Sequence, residues 1–277
     1  MEDFLFEEEL MESMEVLSFE ERDIDEVVRE NAHALLDAEM DMEELLCESS
    51  IEVLTEGTMA DIGRKIKEMW AKLKALIKKF IDWIRSLIKK ESSTTSKKSS
   101  GYQKQKEDDV KIPDAPSKGD IRLFNAKGAI AVIRERMGKA SAVLENDFDV
   151  KEAMDELNNI KELCFKDLEK LWYNGNISEV IEERNGTIYY HNVNSDFEDI
   201  LKALHAEIEE VEAMTKMDPN QHGDPERFKR AIPVVKLLIS VSQAILAELQ
   251  KIFKEDKANR MAAIRADMKA NGNRRGV

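Results

Sequence analysis

Apolar residues recur at helical spacing through most of the chain, and most clearly between residues 59 and 90. There they follow steps of three, four and seven and form one continuous face. The face consists of Ile62, Ile66, Met69, Trp70, Leu73, Leu76, Ile77, Phe80, Ile81, Ile84, Leu87 and Ile88. Lysine and arginine occupy most of the other positions. The pattern predicts a basic amphipathic helix about 45 Å long.

The segments on either side of this helix have different patterns. Residues 3–17 and 23–55 carry apolar residues at helical spacing on an acidic background, which predicts helices that are marginal without a partner. Residues 91–119 are rich in Ser, Thr, Lys and Gln and contain two prolines, so we expect a flexible linker there.

The remaining residues, 120–277, predict a helical bundle. Helices are expected over 120–145, 150–173, 195–217 and 226–270. The run from Val234 to Leu249 is the most apolar of this part and should form its core. Pro233 should either kink the last helix or lie near its start.

Two local signals add detail to the bundle. Asn185-Gly186 suits a type I′ turn and predicts a β-hairpin over residues 177–193. Ser195 and Glu198 have the spacing of a capping box at the start of the third helix. The predicted fold class is therefore mainly α with a small hairpin, divided into 1–56, 57–90, 91–119 and 120–277.

Charge changes sharply near residue 57. The whole chain has a formal net charge of -15, but residues 1–56 hold 21 acidic and only two basic residues. Removing them leaves 40 of the 42 basic and 36 of the 57 acidic residues, a net charge of about +4. An acidic leader is thus followed by a mildly basic remainder.

Residues that would indicate catalysis, a cofactor or a disulfide framework do not form a pattern. The cysteines, Cys47 and Cys164, have no metal-ligand spacing, and the four histidines are scattered. Phosphate-binding glycine motifs and a nucleophile elbow do not occur in the sequence. We therefore expect no enzymatic activity and no cofactor. The acidic N-terminus does not fit a secretory signal, and no uncharged stretch of about 18 apolar residues suggests a transmembrane helix.

The junction Leu54-Thr55-Glu56-Gly57 resembles the sites cut by prohead proteases of large contractile-tailed bacteriophages. Those proteases favour Leu or Ile, any residue, Glu and then a small residue. Similar triplets occur elsewhere in this Glu-rich chain, but this one lies at the charge reversal. The resemblance implies that Leu54 is the apolar anchor, Glu56 precedes the cut and Gly57 becomes the new N-terminus. The alternative is a turn between helices with Gly57 as C-cap.

The same resemblance implies a location and partners. The protein would be a precursor made in the host cytoplasm and placed in the capsid interior, with the prohead protease and capsid or scaffold proteins as partners. Homo-oligomer formation stays open. The main alternative is an uncut membrane-surface adaptor that binds anionic lipid through residues 59–90.

The basic helix has three interpretations. Its apolar face could pack on the bundle or on the leader, it could lie in an anionic membrane surface, or its cations could neutralise packaged DNA. The continuous apolar face argues against a purely DNA-binding role, and the adjoining linker argues against simple packing. The candidate binding residues are Arg64, Lys65, Lys67, Trp70, Lys72, Lys74, Lys78, Lys79, Phe80, Trp83, Arg85, Lys89 and Lys90. We expect the acidic leader to cover the apolar face and neutralise the cations until proteolysis.

Overall fold

A computed structural model describes the backbone of residues 56–98, 121–143, 148–184, 187–190, 193–214 and 225–275. The predictions for the leader before residue 56 and for residues 99–119 lie outside the described residues. The elements in chain order are α1 (Glu56–Lys98), β1 (Ile121–Phe124), α2 (Ala126–Ala142), α3 (Val150–Glu169), β2 (Trp172–Gly175), a 3₁₀ turn (Ile177–Glu179), β3 (Ile181–Arg184), β4 (Thr187–Tyr190), α4 (Val193–Met214) and α5 (Pro225–Arg275). The fold is mainly α-helical with a small hairpin, as predicted.

Helix α5 forms the centre of the bundle. Most side chains between residues 231 and 253 are buried, which confirms the predicted core at Val234 to Leu249. Pro233 lies inside this helix. The part from Arg230 to Ile264 is long and apolar enough to cross a membrane, but 67% of its most apolar window is buried inside the bundle. A helix in the core of a bundle is also long, apolar and largely buried.

The other helices pack around α5 and against one another. Helix α3 packs against α5, α2 packs against α3 and α4, and α1 packs against α4 and α5. Their buried residues join into one large hydrophobic cluster that includes the apolar residues of α1 between Ile66 and Ile84. The segment that was predicted as a separate amphipathic helix is therefore part of the core.

Strands β1 and β2 form an antiparallel pair that the sequence analysis did not predict. Residues 121–124 and 172–173 were assigned to helices, over 120–145 and 150–173, and these assignments were wrong at their ends. Helix α2 begins only after Asn125, whose side-chain Oδ1 accepts a hydrogen bond from the Gly128 N–H at 3.1 Å. Strand β1 is fixed to α5 because the buried Asp256 carboxylate accepts the Phe124 N–H at 2.8 Å.

The predicted hairpin is present as β3 and β4. Ile181 is opposite Tyr190 and Arg184 is opposite Thr187, so the connection is the expected Asn-Gly pair. The predicted range began too early, because residues 177–179 form the 3₁₀ turn. Helix α4 also begins two residues before the predicted capping box, and the Glu198 carboxylate has other partners, described below.

Two glycines give a test of the close contact between β1 and β2. A Cβ at Gly175 would lie 2.5 Å from Cδ1 of Leu123, whose side chain is fully buried, whereas a Cβ at Gly138 in α2 meets nothing within 4 Å. We expect Gly175→Ala to lower the free energy of unfolding by about 2 kcal/mol through overpacking. Gly138→Ala should raise it by up to about 1 kcal/mol, because alanine favours a helix interior.

Urea denaturation of the two variants measures both effects. Both variants replace a glycine with alanine, so an effect that did not depend on position would change both free energies of unfolding in the same direction. Opposite signs are expected, and a Gly175→Ala variant as stable as the wild type would contradict the close contact with Leu123.

Candidate cationic binding face

The apolar side of α1 is occupied by the bundle. Trp70, Ile77 and Phe80 are each at most 1% exposed. The other buried residues of this side are Ile66, Met69, Leu73, Ile81 and Ile84. Burying a large apolar side chain stabilises a fold by about 1.5–3 kcal/mol relative to exposure, so this side contributes substantially to the core.

Phe253 of α5 joins three helices at one point. Its ring lies 5.8 Å from Phe80 and 5.9 Å from Trp83, both on α1, in edge-to-face arrangements. On its other side it meets Phe197 of α4 at 4.9 Å, again edge-to-face. Trp83 also stacks on Phe80 at 5.4 Å. This aromatic junction fixes α1 to both neighbours.

Two ion pairs fix the direction in which α1 runs. Lys74 Nζ lies 2.5 Å from Glu212 Oε2, and Arg85 Nε donates to Glu198 Oε1 at 2.8 Å. Since the residue numbers rise on α1 as they fall on α4, the two helices are antiparallel. Both acidic side chains are at most 15% exposed, so these pairs are less screened than surface pairs.

The opposite side of α1 is a surface of mainly positive charge, which we call the cationic face. It contains Arg64, Lys67, Lys72, Lys78 and Lys79, all exposed, whereas the exposed Arg85 is directed at Glu198 of α4. Glu68 and Asp82 are exposed on the same side. The cationic face therefore carries a net charge of +3 along one helix.

The structure brings the predicted binding residues together only in part. Lys65 and Lys74 are half-buried, with Lys74 directed at α4. Trp70 and Phe80, predicted to contact a membrane, lie in the core, and Trp83 is half-buried beside them. The bundle covers the two buried rings. The side chains of Lys89 and Lys90 lie outside the described residues.

The boundaries of α1 differ from the predicted ones at both ends. Glu56 and Gly57 are its first residues, so Gly57 lies within a helix and is not the C-cap of the alternative interpretation. Leu54 and Thr55 lie outside the described residues. At the other end α1 continues to Lys98, so residues 91–98 are helical instead of linker. These eight residues contain neither glycine nor proline that would end a helix.

The acidic residues that hold α1 were missed by the sequence analysis. The Glu198 carboxylate accepts hydrogen bonds from Lys202 and from Arg85, and these bonds lower the pKa of Glu198 in that order of importance. Glutamates on a helix usually belong to a solvated surface, and nothing in the sequence distinguishes Glu198 and Glu212 from the other glutamates of α4. Only their position opposite α1 identifies them.

Other polar groups in the described part of the chain have structural roles. Asp256 is fully buried, and its carboxylate accepts hydrogen bonds from the Phe124 N–H and from Arg260 Nε, each at 2.8 Å. Burial raises the pKa of Asp256. Burial also raises the pKa of the Cys164 thiol to about 12, which leaves it without the thiolate that reactivity requires. Among the described residues, no group of three His, Cys, Asp or Glu side chains could hold a metal ion.

Acid should weaken the contact between α1 and α4. The pKa of Glu198 is lowered below 4.5, so its ion pairs stabilise the fold above that pH and lose their effect as the pH falls through the folded value. We expect Glu198→Gln to cost about 0.5–1 kcal/mol near neutral pH. In urea denaturation the difference from the wild type should shrink as the pH is lowered further below 4.5, because protonation removes the charge of Glu198. A difference that does not change with pH would contradict this role for the carboxylate.

The fold and the face together define a class of protein: a helical bundle whose first described helix buries its apolar side and turns its cations outward. The chain matches no protein-family model, no curated protein and no solved structure. Its function therefore has to be inferred from its charges and packing.

Proposed function

We propose that the chain is the precursor of a bacteriophage structural protein of the virion interior, and that its mature part binds packaged DNA through the cationic face. One observation carries the DNA-binding part: the apolar side of α1 is used by the core while its cations point outward. Such a helix can bind a polyanion without leaving the bundle. The contact would neutralise phosphates and would not read sequence.

The burial of Trp70 and Phe80 favours DNA over an inserted membrane helix. An interfacial helix sinks its apolar side into the lipid headgroup region, and α1 would first have to separate from α4 and α5. The continuous apolar face was the reason for doubting a DNA-binding role, and packing within the bundle removes that objection. Phosphate contacts require only the outward cations.

The precursor part of the proposal rests on the junction and on charge. Cleavage of the Glu56–Gly57 bond would remove only one residue from α1 and would change the net charge from -15 to about +4. A chain of negative charge is repelled by DNA, and one of positive charge is attracted. A prohead protease would thus convert the protein to a DNA-binding form inside the capsid.

A binding measurement tests the DNA-binding part. A full-length variant with a site-specific endoprotease sequence in place of residues 51–56 is folded, cut and freed of its leader. Its affinity for a fluorescent duplex of about 30 base pairs is then measured over a salt series. With five exposed cations on the cationic face, the slope of log K against log salt should approach about −4.5.

The same titration with vesicles of phosphatidylglycerol distinguishes the membrane alternative. DNA binding with a steep salt slope supports the proposal. Binding to vesicles with a blue shift of tryptophan emission and no binding to DNA would favour the uncut membrane-surface adaptor instead. Absence of binding to either polyanion at low salt would overturn the proposed role of the cationic face.

A further inference from the structure

The cationic face is placed directly after the most acidic part of the chain. Residues 1–55 contain 20 acidic and two basic residues, and they are joined to α1 at its first residue. The cations of the cationic face run from Arg64 to Lys79, a length of about 22 Å along the helix. Residues 1–55 therefore have the opposite charge to the cationic face and are attached to the same helix, which makes them a candidate partner for it.

We propose that, before cleavage, residues 1–55 occupy the cationic face of α1 as an intramolecular mimic of the DNA backbone. This inference rests on the proposed function and names the regulation of the same surface. The leader was expected to cover the apolar side of α1, but α4 and α5 already fill that position. The exposed cations are the part of α1 that remains accessible to it.

Covalent attachment makes this contact independent of protein concentration. A segment tethered beside its binding surface has an effective concentration in the millimolar range for a short linker, so weak ion pairs are enough to hold it. Cutting at Glu56 removes the tether as well as the charge. The leader then dissociates, and the surface becomes accessible to DNA phosphates.

Lysine footprinting tests the contact without DNA. The full-length protein and the processed protein are acetylated under limiting conditions, and modification is measured by mass spectrometry at Lys67, Lys72 and Lys78. Three exposed lysines of α2 and α3, Lys127, Lys151 and Lys166, serve as internal references. The α1 lysines should react at least about threefold more slowly in the uncut chain, while the references react equally in both forms.

Salt and charge provide matched controls. In about 1 M NaCl, where the Debye length is about 3 Å, the protection should disappear. It should also weaken when Glu43, Glu44, Glu48 and Glu52 are replaced by glutamine, a change that leaves the bundle residues intact. Equal reactivity of the α1 lysines in cut and uncut protein at low salt would overturn the inference.

The two proposals can fail separately. If the α1 lysines are protected in the uncut protein but the processed protein does not bind DNA, the leader contact stands and the DNA-binding role is refuted. If the processed protein binds DNA but the α1 lysines are not protected in the uncut protein, the DNA-binding role stands and the leader contact is refuted.

Discussion

Replacing Lys67, Lys72 and Lys78 with glutamine should weaken the binding of the processed chain to duplex DNA on the order of 100-fold at low salt. All three side chains are exposed on α1, away from its packed side. Each phosphate contact that is lost removes one released counterion, so the slope of log K against log salt should become less steep by about 2.7. Fluorescence anisotropy over a salt series measures both quantities.

The matched control removes the same charge from another surface. Lys127, Lys151 and Lys166 are exposed on α2 and α3, which do not carry the cationic face. Their replacement with glutamine changes the net charge equally but should alter DNA affinity only a few-fold. Equal losses in the two triple variants would show that total charge, and not the cationic face, determines binding.

The second large effect is expected at the aromatic junction. Phe253→Ala should lower the free energy of unfolding by about 4 kcal/mol, because it creates a cavity in the core. It also removes edge-to-face contacts with Phe80, Trp83 and Phe197, each of which stabilises by about 0.5–1.5 kcal/mol. Because two of these rings belong to α1, hydrogen exchange in α1 should accelerate more than in α3.

Phe165 provides the control, since it is a half-buried phenylalanine on α3 at the edge of the same cluster. Phe165→Ala should cost roughly half as much, because less apolar surface is lost. Urea denaturation compares the two variants, and exchange measured by mass spectrometry locates the effect. A cost for Phe253→Ala no larger than for Phe165→Ala would contradict the junction as the point that holds α1.

Helix positions and the core could be predicted from the sequence because they depend on local periodicity. The apolar steps of residues 59–90 gave α1, and the run after Pro233 gave the centre of α5. The hairpin followed from Asn185-Gly186, a pair whose backbone preference is local. Each of these predictions needed only a short window of the chain.

Strands β1 and β2 could not be predicted in this way. Their residues continue the helical spacing of α2 and α3, and they become strands because they pair with each other and because β1 packs against α5. The Phe124 N–H donates to Asp256, a residue 132 positions later in the chain. A contact of such sequence separation leaves no local signal, and it overrides helix propensity.

The candidate site, like the fold, could be predicted from the sequence only in part. The cations of α1 were visible as the polar half of an amphipathic pattern. The pattern could not show what covers the apolar half, because a bundle, a leader and a membrane all require the same residues. Packing against α4 and α5 supplies that information, and with it the acidic partners Glu198 and Glu212.

The precursor and its cut at Glu56 are the centre of the proposed function, and the N-terminus of the protein from its native particle tests them most directly. Intact mass and N-terminal sequencing of that material would suffice. A chain that begins at Gly57 is the predicted result, and it would make the acidic leader a removable segment. A chain that still carries Met1 or Glu2 in the mature particle would contradict the precursor and favour a permanent leader on the surface of α1.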